Sequence, residues 1–581
     1  MHPTLPFPKL AAICRKLKFF RPQVSELKRY PLAFAAGLLL ACAFPKIGIA
    51  GFAWLAPMLM LASAAGHRGG AAFRIGAVAG FGFHLASLYW LLLIPVSFLP
   101  IIGWLLVAIY LALYQGLWSW LCWEMFPVRL DVPLEGILPI LERISSTRWI
   151  ERLRWSALSA AIWVALEMAQ ARIIGGFPWN LLGSSQYRML PIIQISSFLG
   201  IYGVSFLVAW FSVSLLPALA SLIRHPGSRR LWMGEMILPV IALVAAATFG
   251  FQRIRHYEQP SRRLKIALVQ PSIPQTMIWE KDKADLRLKE LIELSKKALE
   301  EKPDLMVWPE AAVPNIFRPN PVYHDTNIYV AVTNLVQTHK VWLVIGADDI
   351  IPRPNARTWE DIDWYNSSFL VSPQGEIEGV YQKQRLVPFG EFVPFTSWIP
   401  FLAKLVQSEG NFSPGKGPVT FVLPSLGIKT SVLICFEDVF PHLARKSVSE
   451  DLDFLLNLTN NGWFGESAAQ WQHAAGAVFR AVENGLPLVR AANNGLTCWV
   501  DSLGRTYNVY FPGNRDIYSA GYKIAYVPVL SGGKRPLTFY TRYGDWFGWG
   551  CVALSTLVLA RVLIARRKPA CFEPAIETSV V

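Results

Sequence analysis

The sequence predicts a polytopic α-helical membrane protein of about eight spans that carries one α/β domain outside the cytoplasm. Three observations predict it. Hydrophobic residues make up 53% of the 581 positions and charged residues 16%, and so few charges cannot cover the apolar surface of a purely soluble chain. The apolar residues gather into runs near 31–44, 47–65, 75–94, 99–126, 155–173, 191–223, 232–251 and 546–565, mostly close to the roughly 20 residues that a spanning helix needs. One long polar stretch, 264–528, separates the seventh run from the eighth. A buried helix of a soluble protein accounts for any one run, but not for seven within the first 251 residues.

The chain thus divides into a basic N-terminus (1–30), a seven-span domain (31–251), the polar domain (264–528), a final span (546–565) and a tail (566–581), with linkers at 260–263 and 532–542. The net charge of +15 is unevenly placed: the polar domain holds 24 Lys and Arg against 28 Asp and Glu. A nucleic-acid binder concentrates basic residues on a folded domain, so nucleic acid is a poor reading. The basic residues mark alternate connections: Lys9 to Arg29, then Arg68 and Arg74, then Arg129 to Arg154, then Arg224 to Arg230, and finally Arg566 to Lys568. The connection around Val96 and Ser97 carries no charge. Lys and Arg collect on the cytoplasmic side, which puts both termini inside and the polar domain on the periplasmic or outer side. The basic start is not a cleavable signal, because further spans follow its apolar run directly.

Within the polar domain, β-branched runs at 264–269, 305–308, 341–346, 367–371, 430–434, 454–456 and 488–491 alternate with helical stretches at 281–300, 326–339 and 470–484, the signature of stacked sheets and helices. The seven cysteines are odd in number and contain no CxxC, which supports neither a disulfide scaffold nor a zinc ribbon. Only Cys435 and Cys498 lie in the polar domain. One can be reactive and the other a small buried hydrophobe.

Three motifs carry possible chemistry. Trp308-Pro309-Glu310 leaves a carboxylate at a strand tip, where active-site residues sit in α/β folds. Lys383 opens the run Lys383-Gln384-Arg385-Leu386-Val387-Pro388-Phe389-Gly390-Glu391. Cys435 ends an uncharged strand and is followed at once by Phe436, Glu437 and Asp438. Singly, these read as a solvated turn Glu, a surface Lys and an inert thiol. Together they supply a base, an ammonium and a nucleophile, the set that acyl transfer requires. His473 has no second ligand at metal spacing such as HExxH, so it reads as packing at a helix start. For Asn461, Asn-Gly turn formation explains the residue as well as pocket lining does.

The three motifs, in this order, resemble the Glu–Lys–Cys triad of the nitrilase (carbon–nitrogen hydrolase) superfamily, and their placement between seven spans and a last one resembles the apolipoprotein N-acyltransferases within it. The string from Lys383 through Val387-Pro388-Phe389-Gly390-Glu391 to Pro394 carries the resemblance, with Asn460-Asn461-Gly462-Trp463-Phe464-Gly465, Gln472-His473, and the membrane signature Gly176-Phe177-Pro178-Trp179, Gly183 and Ser185-Gln186. It implies an αββα sandwich for 264–528 and, as roles, Cys435 as nucleophile, Glu310 as general base and Lys383 as oxyanion partner. It also implies supporting roles for Trp279, Glu391 and Glu437, for which hydrogen bonds behind the reacting groups and core packing are equally open. The implied reaction moves an acyl chain from a membrane phospholipid, preferably the sn-1 chain of phosphatidylethanolamine, through a cysteine thioester to the α-amine of a diacylglyceryl-cysteine at an apolipoprotein N-terminus. It is the last step of lipoprotein maturation in the bacterial cytoplasmic membrane and takes no cofactor and no metal.

Two departures stand out. Phe436 occupies a position where the family often has Tyr, and Gln170 stands where an Arg commonly follows the intramembrane Glu167, with Arg172 as a possible substitute. Two rival readings stay open: a membrane-tethered amidase that transfers to water, and a transporter or structural protein with an inert domain. The stretch 392–406, with Phe395, Trp398 and Phe401 around Pro400, reads as a lid at the membrane surface, or alternatively as packing on the core.

Overall fold

The strands are set by period-two alternation. In β1 (Arg263–Gln270), Leu264, Ile266 and Leu268 face one buried cluster while Ala267 and Val269 face another. In the computed structural model, described for residues 24–128, 137–227, 229–319, 327–354, 361–393, 412–513, 515–530 and 532–567, twelve such strands form two six-stranded sheets. The first has the order β12 (Gly521–Pro528), β1, β2 (Leu305–Val307), β3 (Trp342–Pro352), β4 (Ile362–Val371), β5 (Ile377–Gln382). The second has the order β11 (Thr506–Tyr507), β10 (Cys498–Val500), β9 (Leu488–Ala492), β8 (Phe454–Thr459), β7 (Ile428–Ile434), β6 (Thr420–Leu423). Both have a parallel centre, with Leu268 opposite Val307 and Ile434 opposite Leu458. Their inner faces meet through Ile266, Val307, Val432, Ile434, Leu456 and Val489. Helices cover the outer faces, which makes the expected four-layer αββα sandwich.

The helical region contains α1 (Tyr30–Ala41), α2 (Ala56–Ser63), α3 (Gly69–Ser87), α4 (Leu99–Glu124), α5 (Trp149–Gln170), α6 (Ile201–Arg224) and α7 (Arg229–Arg255). The sandwich adds α8 (Ala284–Leu299), α9 (Asn327–His339) and α10 (Ala469–Asn484), and α11 (Trp546–Arg567) ends the described chain. Among the described residues, four helical stretches are long and apolar enough to cross a membrane: Leu99–Glu124, Ile201–Arg224, Met233–Arg255 and Trp546–Ile564. Their outward side chains include Leu106, Ile241, Val244 and Leu557, all exposed, an apolar surface suited to lipid.

Two predicted spans differ from the observed chain path. The run 47–65 is split into a turn at Ala50–Trp54 and the eight-residue α2. The run 191–223 is broken before α6, because Gly200 adopts φ +68° and a Cβ there would lie 2.7 Å from the Tyr540 ring. Strands β5, β6, β10, β11 and β12 were not marked by the hydrophobic pattern. They are edge or next-to-edge strands, two or three residues long in β11 and β10, and interrupted by Glu378 and Gly379 in β5 and by Lys523 in β12.

α10 joins the two halves. It is buried on almost every side, as a helix enclosed by protein must be. Ala477, Val478, Phe479 and Val482 share a core with Leu433 and Leu455 from the second sheet and with Ile193, Ile201 and Val204 from the helical region. Glu483 caps α6 by accepting from the Ile201 N–H at 2.8 Å. The helices themselves pack through small residues: a Cβ on Gly76 of α3 would fall on Ser119 of α4, and 2.7 Å from the Gln115 carbonyl oxygen. Gly76→Leu is therefore expected to force α3 and α4 apart, at a cost of about 1–3 kcal/mol. A lowered midpoint in thermal unfolding of the detergent-solubilised chain checks this, and an unchanged midpoint contradicts it.

Candidate active site

Each of the three triad residues expected from the sequence lies just beyond the C-terminal end of a strand. Pro309 lacks an N–H and cannot extend the β2 ladder, so Glu310 is left just beyond it. Lys383 follows β5, and Cys435 follows β7 in the other sheet. β3 and β4 lie between β2 and β5, and Asn366 of β4 bridges that gap. Its Nδ2 donates to Glu310 Oε1 and to Glu391 Oε1, both at 2.8 Å.

Lys383 is the centre of the charge arrangement. Its side chain is 1% exposed, and Nζ donates to Glu310 Oε1 at 3.1 Å and to Glu391 Oε1 at 2.8 Å. Burial alone would lower this ammonium, but the two carboxylates more than reverse that and hold it well above the usual lysine range. The second oxygen of each carboxylate is also engaged: Glu310 Oε2 accepts from the Asn460 N–H, and Glu391 Oε2 from the Val387 N–H, each at 2.8 Å.

Glu437 ties the two sheets together behind the site. Oε1 accepts from the N–H groups of Gln384 (2.7 Å) and Arg385 (2.9 Å), and Oε2 from the Ile434 N–H and the Tyr381 hydroxyl, both 2.8 Å. It thus fixes the loop that presents Lys383 against the turn that presents Cys435. Burial pushes its carboxyl up, and these donors oppose the rise.

Cys435 has φ +54°, a costly conformation for a residue other than glycine. Its carbonyl oxygen is held by Asn457 Nδ2 at 2.8 Å and meets His473 Nε2 at 3.2 Å. Burial pushes the thiol up to about 12, Glu310 adds to the rise, and Lys383 and Thr459 partly offset it. The Cys435 sulfur is therefore held toward its thiol form, with the Glu310 carboxylate and the Lys383 ammonium acting on it.

A model of carbon–nitrogen hydrolases matches residues 265–515, and one of the apolipoprotein N-acyltransferase N-terminal domain matches residues 36–214. Over 552 residues the chain is 35% identical to the apolipoprotein N-acyltransferase of Geobacter metallireducens, covering 93% of this chain and 96% of that one. The chain belongs to the apolipoprotein N-acyltransferase family. The enzyme of that name from Allorhizobium ampelinum is 29% identical over 563 residues, again 93% of this chain and 96% of the relative. Among solved structures, an amidase from Nesterenkonia sp. aligns with 47% of this chain and 92% of its own at 18% identity and a TM-score of 0.31.

Against this family background, Glu310, Lys383, Cys435, Glu391 and Glu437 converge as the sequence suggests. Trp279 ends the short helix Gln275–Trp279, but its side chain is outside the described residues, as is 394–406 of the lid stretch 392–406. Phe436 keeps its ring beneath Lys383 Nζ, 5.6 Å from the centroid, and edge-on to Phe440. Arg172 does not replace the missing arginine beside Glu167. It pairs instead with Asp545 at the start of α11 and lies over the Trp549 ring. Glu167 accepts from Trp163 Nε1 at 2.9 Å and from the Leu182 N–H at 2.6 Å, which pins the membrane signature loop. Cys498 is fully buried among Ala474, Leu496 and Ile517, the small hydrophobe of the two.

Sequence reasoning missed Asn366, Asn457 and Asp438. Asn457 is a single asparagine inside the buried, apolar β8, where an amide requires partners, and that was the available signal; Asn366 lies in the polar part of β4 and gave none. Asp438 stood in the nucleophile motif without a partner in view. It receives hydrogen bonds from His473 at 2.8 Å and from Arg490. Burial would raise its carboxyl, but His473 and Arg490 outweigh it and hold the group below its ordinary value.

The raised thiol has a sign that can be measured. Only the thiolate reacts, so alkylation of Cys435 by iodoacetamide in the full chain is expected to climb about tenfold per pH unit from about pH 7 to 10 with no plateau. Peptide mapping by mass spectrometry reads the rate, and a plateau below about pH 8 would show a stabilised thiolate instead.

Proposed function

We propose that this chain acylates the α-amine of the N-terminal diacylglyceryl-cysteine of apolipoproteins, with a membrane phospholipid as donor and Cys435 as the carrier. The Cys435 sulfur attacks the ester carbonyl while Glu310 takes the thiol proton. Negative charge develops on the former carbonyl oxygen, where the Lys383 ammonium opposes it. Collapse breaks the ester bond, and the leaving lysophospholipid alkoxide takes the proton back from Glu310. In the second half the acceptor amine attacks the thioester, Glu310 removes its proton, and the Cys435 thiolate leaves and is reprotonated. Every proton returns and no atom changes oxidation state, so the scheme needs no redox partner.

One observation carries this reading. Phe436, next to the nucleophile, packs with Phe440 into one apolar cluster with Leu88, Trp90, Leu111 and Trp179 of the helical region. The Cys435 turn is thus packed against the apolar interior of the helical region, which supports a donor that comes from a lipid. Phosphatidylethanolamine is the donor in this reading, on the family resemblance. The Lys and Arg alternation supports a sheet domain outside the cytoplasm, both termini inside, and eight apolar segments at the membrane. At 1.5 Å per residue α1 is about 18 Å long, so the first segments need their flanking turns to cross a core of roughly 30 Å.

With phosphatidylethanolamine vesicles and a diacylglyceryl-cysteine peptide, wild type is expected to release lysophospholipid and N-acylated peptide in equal amounts. Cys435→Ser and Glu310→Gln should each lower both by about a hundredfold or more. Release of free fatty acid in place of the N-acyl peptide would make the chain a hydrolase.

A further inference from the structure

Adjacent residues at the start of α10 connect the membrane helices to the nucleophile. The Gln472 carboxamide is buried and uses all of its hydrogen-bonding capacity. Its Oε1 accepts from the indole N–H of Trp90 at 3.0 Å and of Trp179 at 2.8 Å, and its Nε2 donates to the carbonyls of Pro45 at 2.8 Å and Ser87 at 3.1 Å. The indoles can only donate and the carbonyls only accept, so the amide has one possible orientation. The four partners lie after α1, at the end of α3, in the turn Tyr89–Leu93, and in the signature loop after α5. Four separate pieces of the helical region are therefore registered on one side chain of the sheet domain.

The next residue faces the other way. His473 Nε2 meets Asp438 Oδ1 at 2.8 Å and the Cys435 carbonyl at 3.2 Å, and Nδ1 meets Asn461 Oδ1 at 3.2 Å. Its Nε2 has only oxygens before it, so it carries the hydrogen. The same Trp179 that bonds Gln472 also lies against the His473 ring, with centroids 5.5 Å apart. Asp438 is fixed from behind by Arg490. The path from membrane helices to nucleophile is thus two residues long: Trp90 and Trp179 to Gln472, then His473 to the carbonyl of a cysteine held at φ +54°.

We propose that Gln472 and His473 are a positioning pair, through which the seating of the membrane helices sets the geometry of the Cys435 turn for a donor that arrives from the bilayer. Neither residue touches the reacting atoms. Gln472 registers the lipid-facing surface against the turn, and His473 holds the turn itself. This rests on the acyl-transfer reading, and it assigns to the Gln-His pair a task that the proposed chemistry leaves open.

The two tasks separate in one experiment on the full chain in nanodiscs. Cys435 thioester formation is timed with two donors, a bilayer phospholipid and a short-chain water-soluble p-nitrophenyl ester. Gln472→Glu keeps the size and the indole contacts but turns a carboxylate oxygen toward the Pro45 and Ser87 carbonyls. It is expected to slow acylation by phospholipid about tenfold more than acylation by the soluble ester. Trp90→Phe, which removes one donor and keeps a ring, should shift the same ratio in the same direction by a smaller factor, and stands in if the first variant is not folded. His473→Gln should slow both donors together. Equal slowing with both donors in Gln472→Glu and Trp90→Phe, or no slowing, overturns the pair's proposed division. A wild-type chain that forms no thioester from either donor would instead remove the acyl-transfer reading beneath it.

Discussion

The site depends on one buried ammonium shared by two carboxylates. Lys383 is almost wholly out of water, and a buried charge without a partner is very costly. Glu310 and Glu391 supply the partners, yet they leave the cluster with an excess negative charge. Burial is the main reason the neighbouring Cys435 thiol is pushed up, and the Glu310 carboxylate adds to the rise while Lys383 partly offsets it. Asn366, Asn460 and Val387 hold the carboxylate oxygens in fixed directions around the ammonium. Preorganisation of this kind lowers the reorganisation needed as charge develops.

The architecture follows from where these groups start. Glu310 and Lys383 come from one sheet and Cys435 from the other, so the site exists only when the sandwich is closed. Glu437 makes the closure specific, because its four acceptor contacts include backbone N–H groups from both sides. The second sheet then shares α10 and its core with the helical region. The catalytic half is built onto the membrane half and not tethered to it. This places Phe436 and the nucleophile turn against the tryptophans and leucines of the helices.

Much of this was legible in the sequence, for physical reasons that differ by element. Central strands such as β1, β2 and β7 read clearly because both their faces are buried, and α8 and α9 because one face is. β12 and β5 did not, because edge strands carry charges and glycines that erase the pattern. The candidate residues Glu310, Lys383 and Cys435 were visible because proline, strand ends and their mutual order mark them. Asn366, Asn457 and Asp438 were not, because their partners lie 22 or more residues away in the chain and only the folded sheets bring them together. Arg172 shows the limit of local spacing: five residues beyond Glu167, it pairs with Asp545, 373 residues later.

The central claim is that Cys435 carries the acyl chain. Intact-mass spectrometry of the full chain, incubated with phospholipid vesicles and no acceptor, tests it most directly. The account predicts a one-acyl mass increase that maps to the Cys435 peptide, is removed by hydroxylamine as a thioester must be, and disappears when an acceptor amine is added. A chain that consumes phospholipid at the full rate with no adduct on Cys435, or with the adduct on another residue, would contradict it.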